Sequence, residues 1–408
     1  MTILNDTGTR GHTHHARALS FLPARPAFKP AGGDLSSGAG GRLDTSAHNV
    51  SATDSDDRFQ VAKRRRDRRI LRSEIRTVTT LDRVRDCGHK AVSGAVSIRC
   101  APDGSHAGLG GVTTCGNAKV CPDCAAKIGH ERATELKAVL DWAVSAGHTV
   151  NFVTLTARHH KGLTLDFLWD GMGRAYRRMN QGRAWKCLRD RLAMVGWVRY
   201  LETMISDETG YHLHYHLVWI TDGKPGEADK AAYFDRWAAC LVKEGLSCVS
   251  QAQDWETVRA GDTEKIAEYV TKFAKEATLG SFKESKKGSS RSPFAVIKDY
   301  FRYGRQSDLD IWKHWETVTQ NRRMVTWSVG LRDLAGLGKE KSDEEIASEQ
   351  HCGETVALIR NAEWKRIRHL APEVLFVFEL DGVAEGRRFM TRCGIIWESP
   401  PEFDDDYD

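Results

Sequence analysis

The stretch YHLHYHLVWI, residues 211–220, decides the fold of this 408-residue chain. Three histidines stand at alternate positions in it, and an apolar run follows them. A β-strand places every second side chain on the same face. His212, His214 and His216 are therefore predicted to share one face of a strand.

A second predicted strand, GWVRYLETMI (residues 196–205), precedes this one, and the turn SDETG joins the two into a hairpin. With the hairpin centred near Glu208, Glu202 lies opposite His214 on the histidine face. A register slip of one residue would point Glu202 to the other face.

Imidazoles and one carboxylate on a rigid sheet favour a divalent-metal site with open positions for a substrate. His212 is either a further ligand or only lines the site, and a solvated polar patch is the simpler alternative.

The composition is that of a globular chain. It is 40% hydrophobic with a formal net charge of +5, and it lacks any apolar run of the roughly 18 residues that a membrane span needs. The N-terminus carries no apolar segment of a secretory signal, so we expect a cytoplasmic protein. The basic run KRRRDRR (residues 63–69) suits either phosphate contact or a solvated tail.

Ten cysteines in a chain without a signal should be reduced, so clustered ones indicate metal ligands. The stretch TTCGNAKVCPDCAAKI holds Cys115, Cys121 and Cys124, and CPxC leading into a helix is a common half of a zinc site. We predict Cys87 as the fourth thiolate, because a glycine follows it as one follows Cys115. Cys100 is the alternate, and buried free cysteines are the alternative to structural zinc.

The stretch EKIAEYVTKFAKEATLG, residues 264–280, has apolar residues at helical spacing. Tyr269 lies among them, with Lys265 four residues before it and Lys272 three residues after it. Taken alone, this pattern fits a half-buried core tyrosine. Combined with a metal site that polarises a phosphodiester, it indicates a nucleophile, because nearby cations favour the phenolate.

These motifs together resemble the rolling-circle plasmid replication initiators of the HUH endonuclease superfamily. The first motif is FVTLTARH (152–159), and the second is RYLETMISDETGYHLHYHLVW (199–219). The third is the tyrosine helix EYVTKFAKE (268–276), and NRRMVTWSVGLR (321–332) is similar to a late segment of these proteins. The resemblance covers roughly residues 87–334 in consistent order, and the set of three motifs is specific.

The resemblance implies a metal-dependent, single-tyrosine nickase that acts at a double-strand origin and stays linked to the 5′ phosphate. Tyr269 would be the nucleophile and Lys272 the lysine near it. His214 and His216 would be paired ligands of a divalent metal, Mg or Mn, and Glu202 the third ligand. The implied partners are plasmid DNA with its single-stranded nick site, a host helicase and a host DNA polymerase.

The implied fold class is α+β, with a central antiparallel sheet and flanking helices, and it agrees with predicted strands near 150–156, 196–204 and 211–220. The predicted organisation is a disordered tail (1–60), a basic segment with the zinc-binding element and a connecting helix (61–148), the catalytic domain (149–280) and a helical or α+β C-terminal region with an acidic tail (281–408). Three finer assignments are a strand in LSCVSQAQ, a helix in VALIRNAEWKRIRHLA and a strand in EVLFVFELDG.

Three questions stay open at this point. The chain could instead be a transposase or relaxase of the same superfamily, or a zinc-containing DNA-binding protein without nuclease activity. It could act as a monomer or as a dimer on DNA. In similar initiators a glutamate four residues before the tyrosine is thought to activate water at termination, but Lys265 occupies that position here. Glu264 and Glu268 are the nearest carboxylates, but helix geometry points them about 140° and 100° away from Tyr269. We therefore expect termination to use either a carboxylate from elsewhere or Tyr269 of a second protomer, with Glu268 weakly favoured over Glu264 among the local candidates.

Overall fold

The structure is a computed structural model that describes residues 55–258, 290–349 and 353–400. Its strands are β1 (Ala95–Cys100), β2 (Ala107–Gly110), β3 (Thr149–Thr156), β4 (Met194–Ser206), β5 (Gly210–Thr221), β6 (Asp254–Val258), β7 (Ser290–Arg291), β8 (Val325–Trp327) and β9 (Glu354–Arg360). They form two antiparallel sheets. The larger sheet has the order β6-β3-β5-β4-β7, with β8 also paired to β4, and the smaller has the order β2-β1-β9.

Helices flank both sheets. Within the described residues they are α1 (Ser55–Val78), α2 (Asp82–Asp86), α3 (Pro122–Ser145), α4 (Leu165–Met179), α5 (Gly182–Arg191), α6 (Glu227–Val242), α7 (Pro293–Tyr303), α8 (Gln306–Val318), α9 (Leu331–Leu334), α10 (Asp343–Ser348), α11 (Asn361–Ile367) and α12 (Ala371–Arg392). Helix α12 is interrupted at Gly382, whose φ is +83°. The predicted α+β class with a central antiparallel sheet is confirmed. No helix in these ranges combines the length and apolarity required to span a membrane.

The two faces of the large sheet are covered by different helices, because alternate residues of each strand point in opposite directions. Leu217 and Trp219 of β5 pack into a core shared with α4 and α6. Val218 and Ile220 face the other way and pack against Leu136 of α3 and its neighbours. His214 and His216 are on the same face as Val218, so the histidine row continues the α3 side of the sheet beyond its apolar part.

The small sheet joins the two ends of the described chain. Strand β1 pairs with β2 on one edge and with β9 on the other. Trp364 of α11 and Phe378 of α12 fill the core beneath it, together with Val96 and Ile98 of β1. The predicted zinc-binding segment and the C-terminal region are therefore packed together, and the described residues all belong to one compact unit.

Of the finer assignments near the C-terminus, one is wrong and another is wrong in its first part. The stretch EVLFVFELDG, predicted as a strand, lies in α12, and the start of VALIRNAEWKRIRHLA, predicted as helix, is strand β9 followed by the short helix α11. Short apolar runs do not distinguish a buried strand from a buried helix. Here the packing partner determines the secondary structure. Strand β1 has an open edge that β9 pairs with, whereas α12 packs along α1 and covers the small sheet.

The strand expected in LSCVSQAQ is also misplaced. The stretch ends in a 3-10 turn, Ser250–Ala252, and strand β6 begins only at Asp254. The Gln253 amide explains the shift, because its Oε1 accepts a hydrogen bond from the Thr156 amide at 2.9 Å and its Nε2 donates to Thr156 Oγ1 at 2.9 Å. A side chain thus replaces strand pairing at the end of β3.

The basic run lies in helix α1, which begins at Ser55 and so overlaps the tail predicted for residues 1–60. The rest of that predicted tail lies outside the described residues. Arg69 is buried and its Nη2 lies 2.8 Å from Oε1 of Glu379, while Arg72 contacts Asp123. Neither a solvated tail nor phosphate contact alone describes this run, because part of it anchors α1 to the rest of the fold.

Candidate functional site

The pairing of β4 with β5 brings the predicted site residues together. Glu202 stands directly opposite His214, and Tyr200 stands opposite His216. The predicted hairpin register is therefore confirmed. Because β5 lies between β3 and β4, its histidines are carried by a central strand that is hydrogen-bonded on both sides.

Glu202, His214 and His216 form a compact group on this face. One ligand atom from each lies within 4.8 Å of the others, and His216 Nε2 is 3.1 Å from Glu202 Oε2. Glu202 is buried, whereas both histidines are partly exposed. Two imidazoles and one carboxylate at these separations fit a divalent cation that retains open coordination positions.

The environment keeps His212 and His214 neutral, which is the form of histidine that binds a metal. Burial, followed by the neighbouring His212 and His216, lowers the pKa of His214 to about 3. Burial and then His159 lower the pKa of His212 to about 4, although Glu202 opposes both shifts. The lone pairs of these rings are therefore available at neutral pH.

A threonine of the first motif contacts the site from β3. Thr154 stands opposite His216 across the strand pair, and its Oγ1 lies 3.3 Å from His216 Nδ1. This contact orients the ring so that Nε2 faces Glu202, as expected of a group that positions a metal ligand. The sequence shows the TLT triplet, but the contact of its first residue, Thr154, with His216 follows only from the pairing of β3 with β5.

His159 was not predicted as a site residue. Its ring stacks on that of His212 with centroids 4.0 Å apart, and the ring of His212 lies 3.9 Å from that of His214. His212 is outside the three-residue group and lines its border. The signal in the sequence was the histidine that closes the first motif, TARH.

Three predicted residues of the third motif, Tyr269, Lys272 and Glu268, lie outside the described residues, as does Glu264. Their assignment continues to rest on the sequence.

The four predicted cysteines form a second cluster. Cys87, Cys115, Cys121 and Cys124 are all buried, and their sulfurs lie within 4.8 Å of one another. Three of the separations are 3.7, 3.5 and 3.7 Å. Sulfurs held tetrahedrally at the usual Zn–S distance of about 2.3 Å would be about 3.8 Å apart. Cys100, the alternate, is in β1 and pairs with Ala107 instead.

The loops that carry two of these cysteines turn at glycine. Gly88 and Gly116 follow Cys87 and Cys115 directly and have φ values of +61° and +66°, a conformation that other residues adopt only under strain.

Arg72 lies beside the cluster. Burial opposes its charge, but Asp123 and then the sulfurs of the cluster raise its pKa. A buried cation beside four thiolates fits a metal centre with net negative charge.

Comparisons with known proteins agree with this arrangement. The family model described as "Replication protein" matches residues 108–369, which is more than half of the chain. A "Protein rep" of Streptomyces lividans is 25% identical over 353 residues, covering 68% of this chain and 76% of that protein. A "Neomycin resistance protein" of Streptomyces cyanogenus is 26% identical over 139 residues, covering 28% of this chain and 32% of that protein.

No solved structure matches the chain significantly. The extent of the family match is decisive, and it spans all the described site residues except Cys87. The chain therefore belongs to the family of plasmid replication proteins.

Proposed function

We propose that this protein initiates rolling-circle replication of a plasmid by nicking one strand of the double-strand origin. The observation that carries the proposal is the group formed by Glu202, His214 and His216 on adjacent strands of an antiparallel sheet. Two further observations support the proposal: the chain belongs to a family of replication proteins, and its sequence has a tyrosine, Tyr269, flanked by lysines. A solvated polar patch does not account for a buried carboxylate that contacts one of two clustered imidazoles.

In the proposed reaction, the Tyr269 oxygen attacks the scissile phosphorus. The hydroxyl proton of Tyr269 passes to water, the bond from that oxygen to phosphorus forms while the bond from phosphorus to the 3′ oxygen breaks, and the 3′ oxygen takes up a proton from water. The products are a 5′-phosphotyrosine and a free 3′ hydroxyl, and the reverse attack by a 3′ hydroxyl rejoins the strand. Lys272 favours the phenolate by its positive charge. A divalent cation, Mg or Mn, when bound by the site would polarise the phosphodiester.

The other regions receive roles within the same proposal. Residues 149–280 carry the chemistry, and the four-cysteine cluster holds a structural zinc that stabilises the segment 61–148. The 3′ hydroxyl would prime a host DNA polymerase in the cytoplasm, and a host helicase would separate the strands.

The test is Tyr269→Phe, assayed on supercoiled plasmid carrying the cognate origin with Mg²⁺ or Mn²⁺. We expect no protein-linked open circles from this variant and nearly unchanged origin binding, because the ring is kept and only the nucleophilic oxygen is lost. Tyr303→Phe is the matched control, since Tyr303 is exposed at the end of α7 and should not affect nicking. Linked open circles from Tyr269→Phe would place the nucleophile elsewhere. A native protein that binds the origin but never nicks it would be a DNA-binding protein without nuclease activity.

A further inference from the structure

A cleft of about 1160 Å³ lies between α1, β2, the first turns of α3 and residues 347–349, and Cys87 and Cys124 form part of its wall. Five arginines of α1 line it: Arg64, Arg65, Arg68, Arg69 and Arg72. Cationic side chains along it outnumber the carboxylates of Asp123, Glu131 and Glu349. We call it the arginine cleft.

Three of these arginines have structural partners. Arg69 pairs with Glu379 and also donates to the Ala107 carbonyl at 2.7 Å. Arg72 pairs with Asp123, and Arg65 donates to the Ser105 carbonyl at 2.6 Å. Their charges are needed to join α1 to its neighbours.

Arg64 and Arg68 differ from them. In the described part of the chain, neither makes a hydrogen bond or an ion pair, and Nε of Arg68 is buried without an acceptor. Burial lowers the pKa of Arg68, the adjacent Arg69 and Arg65 lower it further, and Asp123 opposes these effects. A guanidinium in this environment is costly unless an anion contacts it.

The spacing of the two residues identifies the kind of anion. Positions four apart on a helix lie on the same side with Cβ atoms about 5–6 Å apart, so two long side chains can reach neighbouring phosphates of one strand. Among the residues that the structure describes, those that line the cleft include no tryptophan, tyrosine or phenylalanine. Single-stranded nucleic acid is usually held by aromatic stacking on its bases, whereas duplex DNA offers its backbone and needs no such platform.

We propose that the arginine cleft binds the sugar-phosphate backbone of duplex DNA at the origin, with Arg64 and Arg68 as its phosphate ligands. The inference rests on the proposed function, because it supplies a separate contact to the duplex outside the histidine site. The four-cysteine cluster joins the loop after α2, the segment after β2 and the start of α3, and these segments form the wall opposite α1.

The experiment measures the affinity of the full-length protein for a labelled origin duplex, without added Mg²⁺ or Mn²⁺, between about 50 and 200 mM salt. The test variant is Arg64→Gln/Arg68→Gln. The matched control is Arg388→Gln/Arg392→Gln, which removes the same charge from an exposed pair of the same spacing on α12. We expect the test variant to bind about tenfold more weakly, with the slope of log K against log[salt] reduced by about 2, and the control to bind like the native protein.

The single variant Arg64→Gln, at an exposed position, should reduce the slope by about 1 without any effect on folding. Unchanged affinity and slope in both cleft variants would overturn the proposal, and so would an equal loss in the control. A loss of affinity for single-stranded oligonucleotides alone would also overturn the proposal, because the cleft would then bind single strands and not the duplex.

Cleavage of a single-stranded oligonucleotide that spans the nick site separates the two proposals. Cleavage at the native rate by Arg64→Gln/Arg68→Gln, with weakened duplex binding, is the expected outcome. If the native protein itself cleaves nothing, the nicking proposal fails, whereas the duplex-binding result still decides the arginine cleft.

Discussion

At the scale of single residues, the direction of the Glu202 side chain follows from the alternation of side chains between the two faces of a strand. That side chain reaches the histidine face only because β4 pairs with β5 in the register that sets Glu202 opposite His214. A slip of one residue would direct the carboxylate into the apolar core on the other face. Burial of this carboxylate is tolerated because His216 Nε2 lies 3.1 Å away and a cation would share its charge.

We expect His214→Ala and His216→Ala each to abolish metal-dependent cleavage, because each removes one of two imidazoles from the three-residue group. Glu202→Ala should weaken cleavage and recover in part at high Mn²⁺, since added cation offsets a lower affinity. His212→Ala is the control and should keep Mn²⁺ binding, measured directly by calorimetry. Normal cleavage by Glu202→Ala together with none by His212→Ala would show that His212 is the third ligand.

The cysteine cluster allows a second test at this scale. Cys87→Ser should lose the bound zinc and unfold more readily, because three thiolates hold the metal less tightly than four and metal binding contributes to folding. Cys100→Ser, a buried cysteine of β1 outside the cluster, should retain one zinc per chain. Elemental analysis under reducing conditions measures both. A protein purified without any zinc would contradict the structural-zinc assignment.

At the scale of secondary-structure elements, helix α1 is joined to α12 through one buried carboxylate. Glu379 of α12 is buried, and its Oε1 lies 2.8 Å from Arg69 of α1 and accepts a hydrogen bond from the Ala107 amide at 3.1 Å. Arg66, on the same helix, pairs with Glu373 of α12. The basic residues of α1 therefore pair with carboxylates of α12 that lie about 310 residues away in sequence.

Glu379→Gln should lower the free energy of unfolding by about 3–5 kcal/mol, because it leaves the buried Arg69 without its counter-charge. Glu385→Gln is the matched control on the same helix. Its pairs with Arg388 and Arg392 are largely exposed, so stability should be nearly unchanged. Chemical denaturation of both variants gives the comparison, and equal stability of the two would show that Glu379 does not join α1 to α12.

At the scale of the whole molecule, the N-terminal and C-terminal parts of the described chain share one core. Strand β9 completes the small sheet beside β1, and α11 and α12 fill the space beneath it. The segments predicted for residues 61–148 and 281–408 thus pack against each other through the small sheet, and the segment with the cysteine cluster depends on residues beyond 353.

Deleting residues 353–408 should therefore lower the Tm by at least about 10 °C, since β1 loses a partner strand and the core beneath it is exposed. Deleting residues 2–54 is the comparison. That stretch carries neither apolar periodicity nor a motif, so we expect folding and nicking to persist. Thermal denaturation and the nicking assay measure the two effects. A C-terminal deletion with native Tm would mean that the small sheet contributes little to stability.

The sequence by itself determined those features whose cause is local. Alternation along 211–220 predicts a strand with its histidines on one face, and the length of the turn at 206–210 sets its register against 196–205. The spacing of Cys121 and Cys124 at a helix start likewise predicts half of a metal site, because two ligands so close in sequence can bind one ion only in a few geometries.

Only the tertiary structure decided the features that depend on a distant partner. Residues 354–360 are a strand because β1 has an open edge, and 371–392 are helical because α1 and the small sheet offer a surface to cover. Arg69 and Arg68 are adjacent in one basic run, yet Arg69 pairs with Glu379, whereas Arg68 forms no ion pair within the described residues. Propensity and period act over a few residues, whereas edge pairing and charge pairing depend on which segments the fold brings together.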